Sequence, residues 1–177
     1  VIAPTVVDGA ALVVEAAVRH GASTVVLGST AFVYGDVGGG PPVTGATEPA
    51  PVLDYGQAKL DAETIALDTA RGSATAIAAL RLPHVFGSQS LLFGMIRRRL
   101  VPFPGDGTNR FAQLHVADAA AALIAAATTG WRGVAPIAAD SPTWNAFFTV
   151  LRDASPRVRV VRLPETVATA AARVAGP

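Results

Sequence analysis

The sequence has no cysteine, one methionine and only three histidines. Without cysteine it forms no disulfide scaffold and no Cys-ligated metal site, a composition that suits a reducing cytoplasm. His20, His84 and His115 are scattered along the chain and do not have the spacing of a metal centre. No apolar run approaches the roughly 18 residues of a membrane-spanning helix, and no basic-then-apolar leader opens the chain. Charge is also sparse: 15% of 177 residues, with Lys+Arg 14 against Asp+Glu 13 and a formal net charge of +1. That balance excludes a strongly basic nucleic-acid binder and a charged disordered tail. There is no GxxxxGK[ST], HExxH or GxSxG pattern, and no glycine-rich turn between a strand and a helix. The one glycine cluster, Gly35, Gly38, Gly39 and Gly40, runs straight into Pro41 and Pro42, so no helix N-terminus faces a phosphate there.

What is present is a 51% hydrophobic chain of one-domain length with enough apolar material for a sizeable core. Of its 14 basic residues all but Lys59 are arginine, and its two tyrosines are Tyr34 and Tyr55. A chain that otherwise uses arginine for positive charge places its single lysine four residues after one of its two tyrosines. It opens on Val1 rather than Met and already within a helical pattern, so it reads as a fragment.

Val6, Val7, Ala10, Val13, Val14, Ala17 and Val18 recur at helical spacing, and Gly21 stops that helix. Residues 24–27 form a β-branched run of the kind buried on both faces of a parallel sheet. Residues 35–53, rich in Gly and Pro, read as loop, residues 55–71 as a helix ended by Gly72, and residues 75–82 as a second buried strand closed by Pro83. Further on the spacing predicts a helix over 91–100, a loop over 102–107 and a strand over 111–116. An Ala-rich helix capped by Asp118 follows, then a strand over 134–138 and a helix capped by Thr143. A last strand over 158–161 precedes a final helix opened by Pro164. Strands alternating with helices indicate an α/β domain around a parallel sheet, with residues of about 88–177 contributing a small lobe over its mouth.

At positions i and i+4 of a helix, Tyr55 and Lys59 share a face, roughly 5–6 Å apart at their Cβ atoms. A tyrosine that exchanges protons near neutral pH must lose much of its ordinary pKa of about 10, and an adjacent ammonium favours the phenolate. A surface helix with an incidental Tyr and Lys is the plain alternative, and the scarcity of both residue types weighs against it. Upstream, a buried strand runs into Gly28-Ser29-Thr30-Ala31-Phe32-Val33-Tyr34-Gly35, and downstream another runs into Arg81-Leu82-Pro83-His84-Val85-Phe86-Gly87. Ligands of open parallel sheets bind beyond the carboxyl ends of the strands, which is where these segments lead.

Together with Pro104-Gly105-Asp106-Gly107 leading to His115-Val116-Ala117-Asp118, these segments resemble the extended short-chain dehydrogenase/reductase superfamily, the NAD-dependent epimerase/dehydratase group. The resemblance runs from about Val6 to about Arg152. It implies a Rossmann-like parallel sheet with helices on both faces, lacking the family's first βαβ units and their GxxGxxG turn, plus a small C-terminal substrate lobe. It implies NAD or NADP as cofactor and a small-molecule substrate, with a nucleotide sugar the leading class. A homodimer is the one association to expect, with no nucleic-acid or membrane partner. Residue by residue, the family's hydroxyl that holds the substrate oxygen falls on Thr30, its general acid/base on Tyr55, and its ribose-binding lysine on Lys59. Gly28 and Pro83 fall where backbone lines the nicotinamide, His84 at a substrate-facing position, and Arg110 near a phosphate-binding arginine, one residue out of step. Val6 stands where many members carry a cofactor-contacting Asn. Absent strands beside residues 25–27 leave an apolar strand edge uncovered, an aggregation liability.

Other features read more plainly. Arg97, Arg98 and Arg99 suit a solvated helix end, His115 is structural, and Trp131 and Trp144 are packing anchors of the lobe. Two further readings stay open: a simple ketone or hydroxysteroid reductase of the same superfamily, and a non-catalytic binding remnant.

Overall fold

The structure is a computed structural model and describes residues 2–38, 40–164 and 166. In chain order its elements are α1 (Ile2–Arg19), β1 (Thr24–Thr30), a 3-10 turn η1 (Ala31–Tyr34), α2 (Asp54–Thr69), β2 (Ala76–Leu82) and β3 (His84–Phe86). There follow α3 (Leu91–Arg97), β4 (Leu100–Pro104), β5 (Gln113–His115), α4 (Val116–Thr129), β6 (Gly133–Pro136), α5 (Trp144–Ala154) and β7 (Arg159–Leu163). The chain divides into two compact units, Val1–Val85 with Leu114–Ala138, and Phe86–Gln113 with Ala139–Pro177. Residues 114–138, expected as part of the C-terminal lobe, therefore belong with the first unit. The final helix expected after Pro164 lies outside the described residues.

The first unit holds a parallel sheet in the order β1-β2-β6, with Thr24↔Ala76 through Thr30↔Leu82 and Ala78↔Gly133 through Arg81↔Pro136 in register. Side chains of β2 alternate between its two faces as strand geometry requires. Ile77 packs with Val14 of α1 and Ala66 of α2, while Ala78 and Leu80 pack with Ala126 of α4. Helices therefore cover both faces, the arrangement in which a parallel sheet is stable. β2 is buried from Ala76 to Arg81, whereas β1, at the edge of this sheet, keeps Val25, Val26 and Leu27 half-buried.

Gly35 ends η1 at φ 65, and a Cβ there would overlap the carbonyl oxygen of Ala50. The segment is held in place by the Ala50 N–H donating to the Val33 carbonyl at 2.9 Å. Gly35→Ala combines a left-handed backbone with an overlap that only backbone movement relieves. It is expected to destabilise the protein by about 2–4 kcal/mol, read as a lower urea midpoint at an unchanged slope.

The second unit pairs β4 with β7 in parallel over a core of Leu92, Val101, Phe103, Phe148, Leu151 and Val158. Strand β4 occupies part of the segment 102–107 expected as loop. Its prolines, Pro102 and Pro104, are exposed while Val101 and Phe103 are buried in the core, and β4 pairs on one side only among the described strands, an edge position where residues without an N–H are tolerated. Trp144 is a packing anchor as expected, stacked on Phe111 at 3.6 Å between ring centroids and 5.0 Å from Phe103. Trp131 is not one: it lies in the first unit and is 39% exposed. α4 starts at Val116 and is capped by His115, whose Nδ1 accepts from the Ala117 N–H at 3.2 Å, rather than by Asp118. Thr143 caps α5 as expected, accepting from the Ala146 N–H at 3.1 Å.

In this unit Asp106 accepts from the N–H of Thr108 at 2.9 Å and from its hydroxyl at 2.7 Å. These two bonds, aided by the Arg162 charge, hold its carboxyl below the usual aspartate range. A carboxyl depressed on folding contributes above its unfolded value of about 3.9 and stops contributing as pH falls through its folded value. The Thr108 amide resonance is accordingly expected to hold steady from neutral pH down to about 4 and to move only below that.

Candidate active site

Strands β1 and β2 run parallel, so their carboxyl ends lie side by side. Thr30 is the last residue of β1, opposite Leu82 of β2, rather than just past the strand end. It is 7% exposed, and its Oγ1 accepts from the Phe32 N–H at 3.3 Å, capping η1. The first turns of α2 carry Tyr55 and Lys59. Gly56 lets this helix meet η1 at close range, since a Cβ on it would stand 2.6 Å from the Phe32 carbonyl oxygen.

Tyr55 and Lys59 do face the same way. The Lys59 Nζ is 5.9 Å from the centroid of the Tyr55 ring and donates to the Gly28 carbonyl at 3.0 Å. Tyr55 is 40% exposed, with the Phe32 ring edge-on at 6.3 Å. Gly28 is exposed, and the space where a side chain would sit is open. Pro83 is half-buried between β2 and β3, and His84 begins β3 with its side chain exposed. Beside these lies a groove of about 410 Å³ between α1, the edge of β1 and α2, lined by Val6, Gly9, Leu27, Gly28, Lys59 and Glu63 among others. Arg110 lies in the second unit, where its Nη1 donates to the Ser141 carbonyl at 2.9 Å. Arg97, Arg98 and Arg99 are exposed at the end of α3, as a solvated helix terminus would have them.

Sequence reasoning missed the most buried polar group of the unit. Glu63, 2% exposed, follows Lys59 by one helical turn. Its carboxylate accepts from Arg81 Nη2 at 2.7 Å and Nε at 3.1 and 3.2 Å, and also from the Ser29 hydroxyl. The Arg81 guanidinium stands 4.8 Å over the Tyr34 ring, and the Tyr34 hydroxyl donates to the Thr44 carbonyl at 3.4 Å. Burial opposes the Arg81 charge, but its bonds to Glu63 and Tyr34 outweigh that and hold it above the usual guanidinium range. The signal was in the sequence: an arginine inside the apolar run Ala76–Leu82 has to find a buried anion.

A parallel sheet with helices on both faces, and a tyrosine–lysine turn of helix at its carboxyl edge, define a Rossmann-like α/β domain. The chain belongs to the NAD-dependent epimerase/dehydratase family, whose model matches residues 2–138. Among curated proteins it is 35% identical over 124 residues to the uncharacterized protein y4nG of Sinorhizobium fredii, covering 67% of this chain and 31% of that protein. It is 38% identical over 80 residues to the putative UDP-arabinose 4-epimerase 2 of Arabidopsis thaliana, covering 44% of this chain and 18% of that protein. The solved structure of MoeE5 with UDP-glucose and NAD superposes with TM-score 0.77 at 28% identity, over 90% of this chain and 57% of that one. The UDP-N-acetylglucosamine 4-epimerase of Methanobrevibacter ruminantium shares the fold, with TM-score 0.81 at 22% identity over 92% of this chain and 56% of that one. The chain thus spans under a third of these two curated relatives and just over half of these structural neighbours. Among the described residues no helix is long and apolar enough to cross a membrane, and no cluster of His, Asp and Glu is placed to hold a metal ion.

Proposed function

We propose that this chain carries the proton-transfer machinery of an NAD(P)-dependent epimerase or dehydratase acting on a nucleotide sugar. The observation that carries the reading is the Lys59 ammonium beside the exposed Tyr55 ring, anchored on Gly28 at the carboxyl end of β1. The Tyr55 oxygen takes a proton from a substrate hydroxyl and returns it. The Lys59 charge stabilises the negative charge that develops on that oxygen, in a half-exposed setting where a fixed cation outperforms mobile water. Thr30 shares the hydrogen bond to the substrate oxygen. Bound nicotinamide supplies the hydride acceptor and donor.

The residues present fit the nicotinamide-ribose end of such a cofactor. An ammonium has three donors, and the Gly28 carbonyl accepts one of them. Gly28 offers open space that would admit a flat ring against the backbone, and Pro83 would contribute backbone beyond β2. The chain contains no glycine-rich turn for a pyrophosphate. The nucleotide-sugar class rests on the UDP-arabinose 4-epimerase relatives and on MoeE5, which is bound to UDP-glucose and NAD. His84 is the substrate contact this reading adds from the first unit.

The product of the complete reading frame, given NAD and UDP-glucose or UDP-arabinose, tests it. Conversion of the sugar without lasting absorbance at 340 nm is expected, because hydride taken up is handed back. Equimolar accumulation of reduced cofactor would point instead to a simple dehydrogenase. Thr30→Val removes one hydrogen bond to a charged oxygen and is expected to lower kcat by about 10- to 100-fold, with KM changed far less.

A further inference from the structure

Glu63, the best-buried polar group among the described residues of the first unit, sits one helical turn beyond Lys59 and two beyond Tyr55. Tyr55, Lys59 and Glu63 follow one another at four-residue spacing along α2, a single stripe of the helix. The rest of the buried face of α2 is Gly56, Ala58, Ala62 and Ala66. Such small residues permit close approach but form low ridges, so they define distance from the sheet better than rotation or axial position. The polar contacts supply what the apolar ones do not. Lys59 holds the Gly28 carbonyl, Glu63 holds Ser29, and Glu63 also holds Arg81, which is paired with Ser29 across the two strands. Helix α2 is thereby tied to rungs 28 and 29 of β1, immediately before Thr30. Arg81 also lies under the Tyr34 ring of η1, the turn that Thr30 caps. Through Ser29 and Arg81, Glu63 thus joins α2, which bears Tyr55 and Lys59, to β1, which bears Thr30, and to β2.

A buried ion pair is weak evidence for stability, because desolvating two charges offsets much of their attraction. Its presence in an otherwise alanine-lined interface calls for a role in specifying geometry. We infer that Glu63 and Arg81 are positioning residues, a polar clasp that fixes the rotation and register of α2 and so places the Tyr55 oxygen relative to Thr30. The inference rests on the proton-transfer reading of Tyr55. Glu63 stands about 12 Å along the helix from Tyr55 and acts through the helix.

The test uses the complete protein with NAD and the UDP-sugar it converts, and two variants. Glu63→Leu/Arg81→Met replaces the pair with apolar groups of similar bulk and is expected to fold, melting near or above the parent. Its kcat is expected to fall about 100-fold, as a misplacement of about 1 Å does, with the sugar KM within about twofold. Ser29→Ala deletes a single hydrogen bond to the clasp, keeps the ion pair, and is expected to lower kcat about three- to tenfold with little change in melting. A readout without substrate comes from 3-fluorotyrosine: the Tyr55 resonance, assigned as the ¹⁹F signal missing from Tyr55→Phe, is expected to shift or broaden in the double variant. A folded double variant with parental kcat and an unmoved Tyr55 signal overturns the inference and leaves the pair a packing feature. If the double variant does not fold, parental kcat in Ser29→Ala overturns it. Tyr55→Phe run alongside separates the two claims: full activity there removes the proton-transfer reading itself, whatever the clasp variants do.

Discussion

Tyr55→Phe is expected to lower turnover by about 10²- to 10⁴-fold, the range of a lost general acid/base, while leaving cofactor affinity nearly unchanged. The substitution removes one oxygen from a ring that is 40% exposed and keeps the edge contact with Phe32, so the fold has little reason to respond. The lysine contact to the Gly28 carbonyl also survives, since it does not involve the phenol. The measurement is kcat with UDP-sugar and NAD beside a direct NAD titration, both on the product of the complete reading frame. Turnover equal to the parent would remove Tyr55 from the chemistry, and loss of NAD binding in parallel would make it a cofactor contact instead.

The largest stability effect is expected from truncating one side of the buried pair. Glu63→Ala leaves the Arg81 guanidinium, 6% exposed, without its anion and strips a partner from the Ser29 hydroxyl. Stranding a buried charge costs about 3–5 kcal/mol, for a melting temperature lower by about 10 °C in a chain of this size. Asp68→Ala supplies the contrast. Its partner Arg71 lies on the surface with a side chain 80% exposed, and losing that pair is expected to cost less than about 1 kcal/mol. Equal melting temperatures for the two variants would mean that water reaches Arg81 after all.

Most of the first unit was legible in the sequence because its elements follow local rules. The 3.6-residue spacing from Val6 to Val18 fixes α1, and the four-residue spacing of Tyr55 and Lys59 puts them on one face wherever that helix docks. The alternation of strands with helices fixes a parallel sheet with both faces covered. Where the prediction failed, the deciding partner was distant in sequence. β4 was hidden because its prolines signal a loop, and only pairing with β7, over fifty residues on, makes Leu100–Pro104 a strand. The cap of α4 went to His115 instead of Asp118 because the preceding strand sets where the helix begins.

The same distinction separates the site residues. Tyr55 and Lys59 could be found by spacing, since a helix fixes their relation by itself. Glu63, four residues further on, could not be told from a surface carboxylate, because its meaning depends on Arg81 and Ser29 in two other elements. The sequence alone determined the α/β order and the shared face of the tyrosine and lysine, which arise from short-range periodicity and covalent spacing, and its motifs carried the resemblance to the family. Tertiary structure alone decided that Glu63 is buried, that Arg81 neutralises it, and that Thr30 ends its strand beside them. Burial and charge pairing are properties of surfaces brought together by folding, and no local spacing encodes them.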